Sequence, residues 1–155
     1  MKVIVADSSP LIALSCSGHI DVLLSIVSQV LITETVFLEC TAASGKPGAA
    51  RIQEAVSDGR ITQVPDPDMG IFGGISGLDM GEALAISQAH AMRVPILADD
   101  AVGRQVAKAH GTWHPCDRQL WHFARSQTAG PDSCGRPGHR NLQAGNRLLS
   151  FRRVD

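Results

Sequence analysis

Five acidic residues, spread along most of the chain, are the candidates for chemistry: Asp7, Glu39, Glu82 and the adjacent Asp99 and Asp100. Carboxylate oxygens are the ligands that hard cations such as Mg²⁺ and Mn²⁺ prefer. A bound ion of this kind makes a water molecule more nucleophilic and neutralises developing negative charge. Without a metal, carboxylates held close together repel one another, and some bind protons at a raised pKa. The set therefore suggests a hydrolytic metal site, provided that the fold brings its members together.

Each of these residues also has a plain structural interpretation. Asp7 and the pair Asp99–Asp100 follow short apolar runs, where an Asp commonly caps the next helix. Glu39 and Glu82 lie beside apolar positions of predicted helices, near the edge of a buried face, where a solvated helix face is the ordinary alternative. No single residue decides between these interpretations, so the functional argument depends on the whole set.

The elements that must position these side chains are apolar runs alternating with helical patterns. The residues from 65 to 78, rich in Gly and Pro, predict a flexible loop. The predicted strands are residues 3–6, 30–32, 61–64 and 95–98. The predicted helices are residues 10–16, one that opens at 21, one that follows Thr33, residues 49–57, residues 80–92, and one that follows Asp100 and runs to about 110.

Strands that alternate with helices predict an α/β fold, in which a parallel sheet is covered on both faces. Residues 3–6 form a continuous apolar run, which is typical of a strand buried on both sides. Open parallel sheets place their sites beyond the carboxyl ends of the strands. Asp7 and Asp99–Asp100 both fall at such ends. This position is the first indication that they have a function beyond helix capping.

Length and composition limit the function classes. The chain has 155 residues, the size of one domain, and 44% of them are apolar. Aromatic residues make up only 4%, with no Tyr, so few bases can stack on aromatic side chains. No apolar run approaches the roughly 18 residues of a membrane span, and the N-terminus lacks the pattern of a secretory signal. We therefore expect a cytoplasmic protein with no membrane partner.

The net charge of −1 hides a division of the chain. Residues 1–111 hold twelve acidic and seven basic side chains, whereas residues 112–155 hold three acidic side chains and seven arginines. The second segment has no Lys, Glu or Ile and no apolar stripe at helical spacing. Such a shift in composition is typical of a linker, a disordered tail or a second module. We therefore expect a domain over 1–111 and a divergent tail over 112–155.

Four segments in order resemble the PIN-domain family. The first is VIVADSSPLIAL, a strand that ends on Asp7, and the second is VLITETVFLE, a strand and helix that place Glu39. The third is GLDMGEALAIS, which opens a helix on Glu82, and the fourth is VPILADD, a strand that ends on Asp99 and Asp100. Glu82 and Asp100 are eighteen residues apart, as in family members. A bacterial subfamily with the pattern LDxGEAxAI, then LxxDDxxGRxxA, is similar to this chain over residues 3–111.

The resemblance implies a three-layer α/β/α fold with four or five parallel strands and a metal-dependent endoribonuclease activity. Hydrolysis of an RNA phosphodiester requires an activated water, and Mg²⁺ or Mn²⁺ supplies it. The ligands that the resemblance implies are Asp7, Glu39, Glu82 and Asp100, with Asp99 as the alternative to Asp100 because the doubled aspartate leaves the register open.

The resemblance also implies supporting residues and partners. We expect Asp79 to support Glu82, and Ser8 to hydrogen-bond a carboxylate or phosphate. Arg104 lies one helical turn after Asp100 and either orients that residue, contacts RNA or makes an ordinary surface pair. Small PIN proteins are commonly toxins of toxin–antitoxin pairs and often dimerise, so an antitoxin protein and a homodimer are further expectations.

The tail departs from the family pattern, and the genetic code suggests a cause. Back-translation of residues 113–121, read one base later, allows GIPVIGSFG, and the same shift over residues 129–134 allows LALIPA. Both resemble the last strand and helix of the subfamily. We therefore hypothesise a one-base frame change near Thr112, which the genomic DNA sequence tests directly. A natural disordered tail, rich in Arg, Gly and Pro, is the alternative.

Cysteine and histidine patterns add little. The tail residues His114, Cys116, His122, Cys134 and His139 lack the paired spacing of a zinc site. Cys16 and Cys40 lie among apolar residues, and we expect both to be reduced core cysteines.

Two other functions compete with the ribonuclease hypothesis. One is a non-catalytic protein, either an inactivated remnant or a PIN-like module that binds nucleic acid. The other is a phosphatase-like α/β hydrolase with Asp7 as its nucleophile, which is weakened because Ser9 stands where many such enzymes carry a second Asp.

Overall fold

The computed structural model describes residues 2–42, 45, 47–113, 122 and 126. A 3₁₀ helix covers Gly70–Gly74. The strands are β1 (Val3–Ala6), β2 (Gln29–Thr33), β3 (Ile61–Val64) and β4 (Ile96–Leu97). The helices are α1 (Ser8–Cys16), α2 (Ile20–Ile26), α3 (Glu34–Thr41), α4 (Pro47–Ser57), α5 (Met80–Met92) and α6 (Ala101–Ala109).

The four strands form one parallel sheet in the order β3-β2-β1-β4. Val5 pairs with Leu31 of β2 on one side and with Ile96 of β4 on the other. The predicted α/β fold with a parallel sheet is therefore confirmed, with four strands in the described part of the chain. Because every strand runs in the same direction, all four carboxyl ends lie at one edge of the molecule.

The core forms because β1, β2 and β4 carry buried residues on both faces and helices cover them. Among helices, α1 packs on α3 and α4, whereas α5 packs on β1, β2 and α6. The fold is therefore a three-layer α/β arrangement. The largest side chains with almost no exposed surface come from both the sheet and the helices: Ile4, Val5, Val30, Ile32, Ile61, Ile96, Leu97, Leu11, Leu14, Leu23, Ile52 and Ile86.

The predicted loop at residues 65–78 contains an element that the Gly and Pro content concealed. Phe72 of the 3₁₀ helix is buried and meets the rings of His90 and His110 edge-on, with centroids 5.5 and 4.9 Å away. The Ser87 hydroxyl also donates to the Asp68 carbonyl, at 2.6 Å. These contacts attach the segment to α5 and the end of α6, so tertiary packing overrides the local tendency to form a flexible loop.

The chain reaches the outer side of β4 at the end of the continuously described part. The Ile96 N–H donates to the Thr112 carbonyl, and Thr112 itself is buried. The possible fifth strand and the frame-change hypothesis concern residues that lie outside the described ones. The same holds for His114, Cys116, Cys134 and His139.

The two described cysteines differ. Cys40 on α3 is a buried free thiol, as expected. The prediction of a reduced cysteine is wrong for Cys16, which is disulfide-bonded. Cys16 ends α1 and is only partly buried, whereas Cys40 is buried.

Among the described residues, no single helix has the length and apolar composition to cross a membrane. Helices α1 and α2 reach that length and apolar composition only when they are taken together, and the chain bends by 118° between them.

Replacement of Ile32, which is fully buried in an inner strand, tests the assignment of the core. We expect Ile32→Ala to lower the free energy of unfolding by about 2–5 kcal/mol, because it removes buried methyl groups and leaves a cavity. The control is Leu38→Ala, whose side chain is 64% exposed, with an expected change of about 0.5 kcal/mol or less. Urea unfolding of both variants measures the difference, and equal effects would contradict the described core.

Candidate acidic site at the carboxyl edge of the sheet

Four helices begin where the chain leaves or approaches the carboxyl edge of the sheet. Helix α1 follows β1 through Asp7, α3 follows β2 through Thr33, and α6 follows β4 through Asp99 and Asp100. Helix α5 opens at Met80 after the long connection from β3. Helix N-termini carry partial positive charge, which favours nearby carboxylates. The edge is therefore an electrostatically suitable place for acidic side chains.

Asp7 is the most enclosed acidic residue of the site after Glu82, with 5% of its surface exposed. Burial, together with the negative charges of Asp79 and Glu39, raises its pKa to about 7. The N–H groups of Ser8 and Ser9 lie near enough to lower the pKa in part, although Asp7 makes no side-chain capping bond to α1. Asp7 is thus held at the helix start without the full stabilisation of a cap.

Glu82 lies in the first turn of α5 and has 3% of its surface exposed. Burial, followed by the charges of Asp7, Asp100 and Asp79, raises its pKa to about 8, against a lowering effect of Arg104. Its Oε1 atom is buried and has no hydrogen-bond partner among the residues that the structure describes. A buried polar oxygen without a partner is costly and marks a position where a ligand would satisfy it.

Glu39 reaches the same region from α3. Burial raises its pKa, a hydrogen bond from the Ser8 side chain lowers it, and the charges of Asp79 and Asp66 raise it. The Glu39 carboxylate also lies directly against the backbone of α5 at Gly81. The buried Cys40 thiol, one residue along, has a pKa raised by burial and then by the charges of Asp7 and Glu39. These couplings place Glu39 beside both Asp7 and the start of α5.

Asp79 and Asp100 are exposed residues with two roles. The Asp79 carboxylate accepts the Glu82 N–H at 2.8 Å and caps α5. The Asp100 carboxylate accepts the N–H groups of Val102 and Gly103 at 2.7 and 3.3 Å and caps α6. Both aspartates are also close enough to Glu82 to raise its pKa. The capping interpretation is confirmed at both residues, and their position beside Glu82 is compatible with the predicted site.

Asp99 and Arg104 lie beside this group. An N–H of the Arg104 guanidinium donates to the backbone carbonyl of Asp99, and its charge lowers the pKa of Glu82. Arg104 is thus placed against the acidic cluster rather than on a distant surface. Since Asp100 is the partner that is coupled to Glu82, it is the better candidate of the two adjacent aspartates.

Asp66, which follows β3 at the same edge, is absent from the predicted set of site residues. Its carboxylate accepts the N–H and hydroxyl of Thr35 at 3.0 and 2.6 Å. Burial acts to raise its pKa, but the hydrogen bonds from Thr35, Thr33 and Glu34 together outweigh that effect, and its pKa lies below the ordinary value. The charge of Asp66 acts in turn on Glu39. The rule that sites follow strand ends, applied to β3, would have found this residue.

The charges of neighbouring carboxylates raise the pKa values of Asp7, Glu39 and Glu82, but the described side chains do not surround a metal position. Within the part of the chain that the structure describes, no three Asp, Glu, His or Cys side chains are arranged so that they could hold a metal ion as they stand. The donor set is nevertheless all oxygen, and the free Glu82 oxygen lies within it. In its chemistry, the set fits a hard divalent cation, which would have to draw the exposed carboxylates inward.

Fold and site together define an α/β domain with an acidic site at the carboxyl edge of a parallel sheet. A family model described as PIN domain matches residues 3–112, so the chain belongs to the PIN-domain family. PIN domains are generally nucleases, and the fold is therefore a nuclease fold.

Two further comparisons add little. The chain matches no curated protein sequence. Among solved structures it is similar to a domain of a functionally unknown protein from Methanocaldococcus jannaschii DSM 2661, with 21% identity and a TM-score of 0.46. That match covers 73% of this chain and 89% of the other.

The raised pKa values of Asp7 and Glu82 predict how stability depends on pH without metal. In the unfolded chain these groups ionise near pH 4, whereas in the folded protein they stay protonated to about pH 7 and 8. The folded state therefore binds more protons, and stability falls as pH rises from about 4 to about 8. We expect a loss on the order of a few kcal/mol, measured by urea unfolding in EDTA.

Replacement of Glu82 isolates this effect. Glu82→Gln should flatten the pH profile and raise stability at pH 8.5 in EDTA, because it removes a buried charge. The matched control is Glu54→Gln, on the exposed side of α4, which should leave the profile unchanged. If Glu82→Gln leaves the wild-type profile intact, the buried carboxylate does not have the raised pKa that the structure indicates.

Proposed function

We propose that this protein is a divalent-metal-dependent endoribonuclease that hydrolyses RNA phosphodiester bonds at the acidic edge of its sheet. The observation that carries the proposal is the unpartnered, buried Oε1 of Glu82 among carboxylates that raise its pKa. Stability alone does not explain this arrangement, because buried charges without partners are unfavourable. Membership of a family of nucleases supplies the class of reaction.

The residues that would hold the ion are Asp7, Glu39, Glu82 and Asp100, with Asp99 as the alternative to Asp100. Bound Mg²⁺ or Mn²⁺ would supply an activated water and neutralise charge on the phosphate. Asp7 and Glu82 lie on the rigid ends of β1 and α5, where burial fixes their position. Glu39 and Asp100 are less buried and have the freedom to turn towards an ion.

Other side chains support these ligands. The Ser8 hydroxyl fixes the Glu39 carboxylate, and Asp79 fixes the first turn of α5, on which Glu82 stands. Arg104 provides positive charge beside Glu82, where it can also contact a substrate phosphate. Thr35 fixes Asp66, which adds negative charge beside Glu39.

We further propose that the protein acts in the cytoplasm as the toxin of a toxin–antitoxin pair, with an antitoxin protein as partner, and that it forms a homodimer. Support for this part comes from the resemblance to small PIN toxins. RNA as the substrate has the same support. The competing function is a catalytically inactive PIN-like protein that binds nucleic acid.

Loss of metal-dependent cleavage on replacement of Asp7 tests the enzymatic proposal. We expect wild-type protein to cleave single-stranded RNA in Mg²⁺ or Mn²⁺ but not in EDTA. Asp7→Asn should lower the cleavage rate roughly 100-fold or more, because metal-site residues have effects of at least this size. The measurement is the rate of product formation from end-labelled RNA, with DNA of the same sequence as a test of substrate class.

The control for this experiment is Asp58→Asn. Asp58 is an exposed residue that pairs with Arg60 at 3.5 Å, away from the acidic edge, and its replacement should leave the rate unchanged. No cleavage of RNA by the wild-type protein in either metal would refute the ribonuclease proposal. Retained RNA binding in that case would favour the inactive binding protein.

Binding of RNA without cleavage separates the two functions further. The acidic edge should repel phosphate in the absence of metal, with Arg104 as the nearby cation. We therefore expect Glu39→Gln to bind single-stranded RNA more tightly than wild type in EDTA, as measured by fluorescence anisotropy at low salt. Tight wild-type binding in EDTA that Glu39→Gln does not strengthen would indicate that RNA binds elsewhere.

A further inference from the structure

Gly103, in the first turn of α6, lies against the Glu82 side chain. A Cβ built at Gly103 would have three nearest neighbours, all from Glu82, with Cδ at 2.5 Å and Cγ at 3.1 Å and Oε1 closer still. Real side chains do not approach one another this closely. The Glu82 carboxylate therefore occupies the space that any other residue at position 103 would fill.

Gly81 has the same relation to Glu39. The three atoms nearest to a Cβ built at Gly81 would all belong to the Glu39 carboxylate. Cδ and Oε2 would both lie at 2.7 Å, and Oε1 would lie closer. Gly81 lies in the first turn of α5, next to Glu82. Two carboxylates of the acidic site are thus each packed against a glycine at the start of a helix.

Neither glycine is explained by backbone conformation. Both lie in regular helices and neither has a positive φ, so alanine would be the better helix former at each position. The remaining reason for glycine is the close approach of the helix backbone to a carboxylate.

From this we infer that Gly81 and Gly103 are positioning residues, whose missing side chains let Glu39 and Glu82 reach their places in the metal site. The inference rests on the proposed metal-dependent function. A methyl group at position 103 would displace the Glu82 carboxylate, which is the movable end of a side chain, rather than the backbone of α6. The main effect should therefore be on the site and not on the fold.

Metal affinity is the first test. We expect Gly103→Ala and Gly81→Ala each to weaken binding of Mn²⁺ roughly tenfold or more, as measured by calorimetric titration of the full-length protein with Mn²⁺ alone. The melting temperature in EDTA should change little. The matched control is Gly74→Ala, where an added Cβ would meet nothing within 4 Å and φ is not positive, and its Mn²⁺ affinity should equal that of wild type.

A double-mutant cycle tests the contact itself and does not depend on metal. The Glu82→Ala background lacks all three atoms that lie nearest to a Cβ at position 103, so Gly103→Ala should be neutral or raise the melting temperature. In the wild-type background the same substitution should be less favourable, and the difference measures the contact with Glu82. An equal effect in both backgrounds would overturn the inference.

The two experiments keep failure of this inference separate from failure of the proposed function. Wild-type Mn²⁺ affinity in Gly103→Ala and Gly81→Ala would overturn the positioning role while leaving the ribonuclease proposal intact. Absence of Mn²⁺ binding by the wild-type protein would refute the metal site. The double-mutant cycle would then still decide whether Gly103 makes room for Glu82.

Discussion

The acidic site depends on carboxyl groups that are kept out of water at the end of a parallel sheet. Asp7 and Glu82 are both more than nine-tenths buried, and the charge of Asp7 raises the pKa of Glu82. Desolvation of a carboxylate is unfavourable, and the nearby helix N-termini and Arg104 offset only part of it. The apolar sheet and its covering helices supply the stability that keeps these groups in place. An arrangement that costs stability locally while the scaffold maintains it is typical of a functional site.

Helix starts have two functions in this domain. Asp79 and Asp100 satisfy the free N–H groups of α5 and α6, and their remaining charge contributes to the acidic edge. Thr33 caps α3, the helix that carries Glu39. The caps therefore fix the first turns of the helices from which Glu39, Glu82 and Arg104 project. Glycines in the first turns of α5 and α6 then allow the close approach that longer side chains would prevent.

Strand β4 lies at one edge of the described sheet, beside β1. It has two residues, and the N–H of Ile96 donates to the carbonyl of Thr112. The match to the PIN-domain family also ends at residue 112. The proposed ligands all lie before this point in the chain. The acidic edge is thus built from the family-like part of the sequence, whatever the origin of residues 112–155.

The sequence by itself determined the sheet, the order of helices and the candidate carboxylates. Short continuous apolar runs such as residues 3–6, bounded by turn residues, are typical of buried strands. Asp residues after them fall at the carboxyl edge because parallel strands share a direction. Local patterns carry this information, because it concerns neighbours along the chain. The sequence did not reveal the 3₁₀ helix around Phe72, because its packing depends on His90 and His110 far along the chain. It also did not reveal the bonded state of Cys16. Only the tertiary structure decided that Glu82 is buried with an oxygen that lacks a hydrogen-bond partner among the described residues. It also decided that the carboxylates of Glu39 and Glu82 pack against Gly81 and Gly103. Burial and close approach are properties of packed elements, and no spacing along a single chain specifies them.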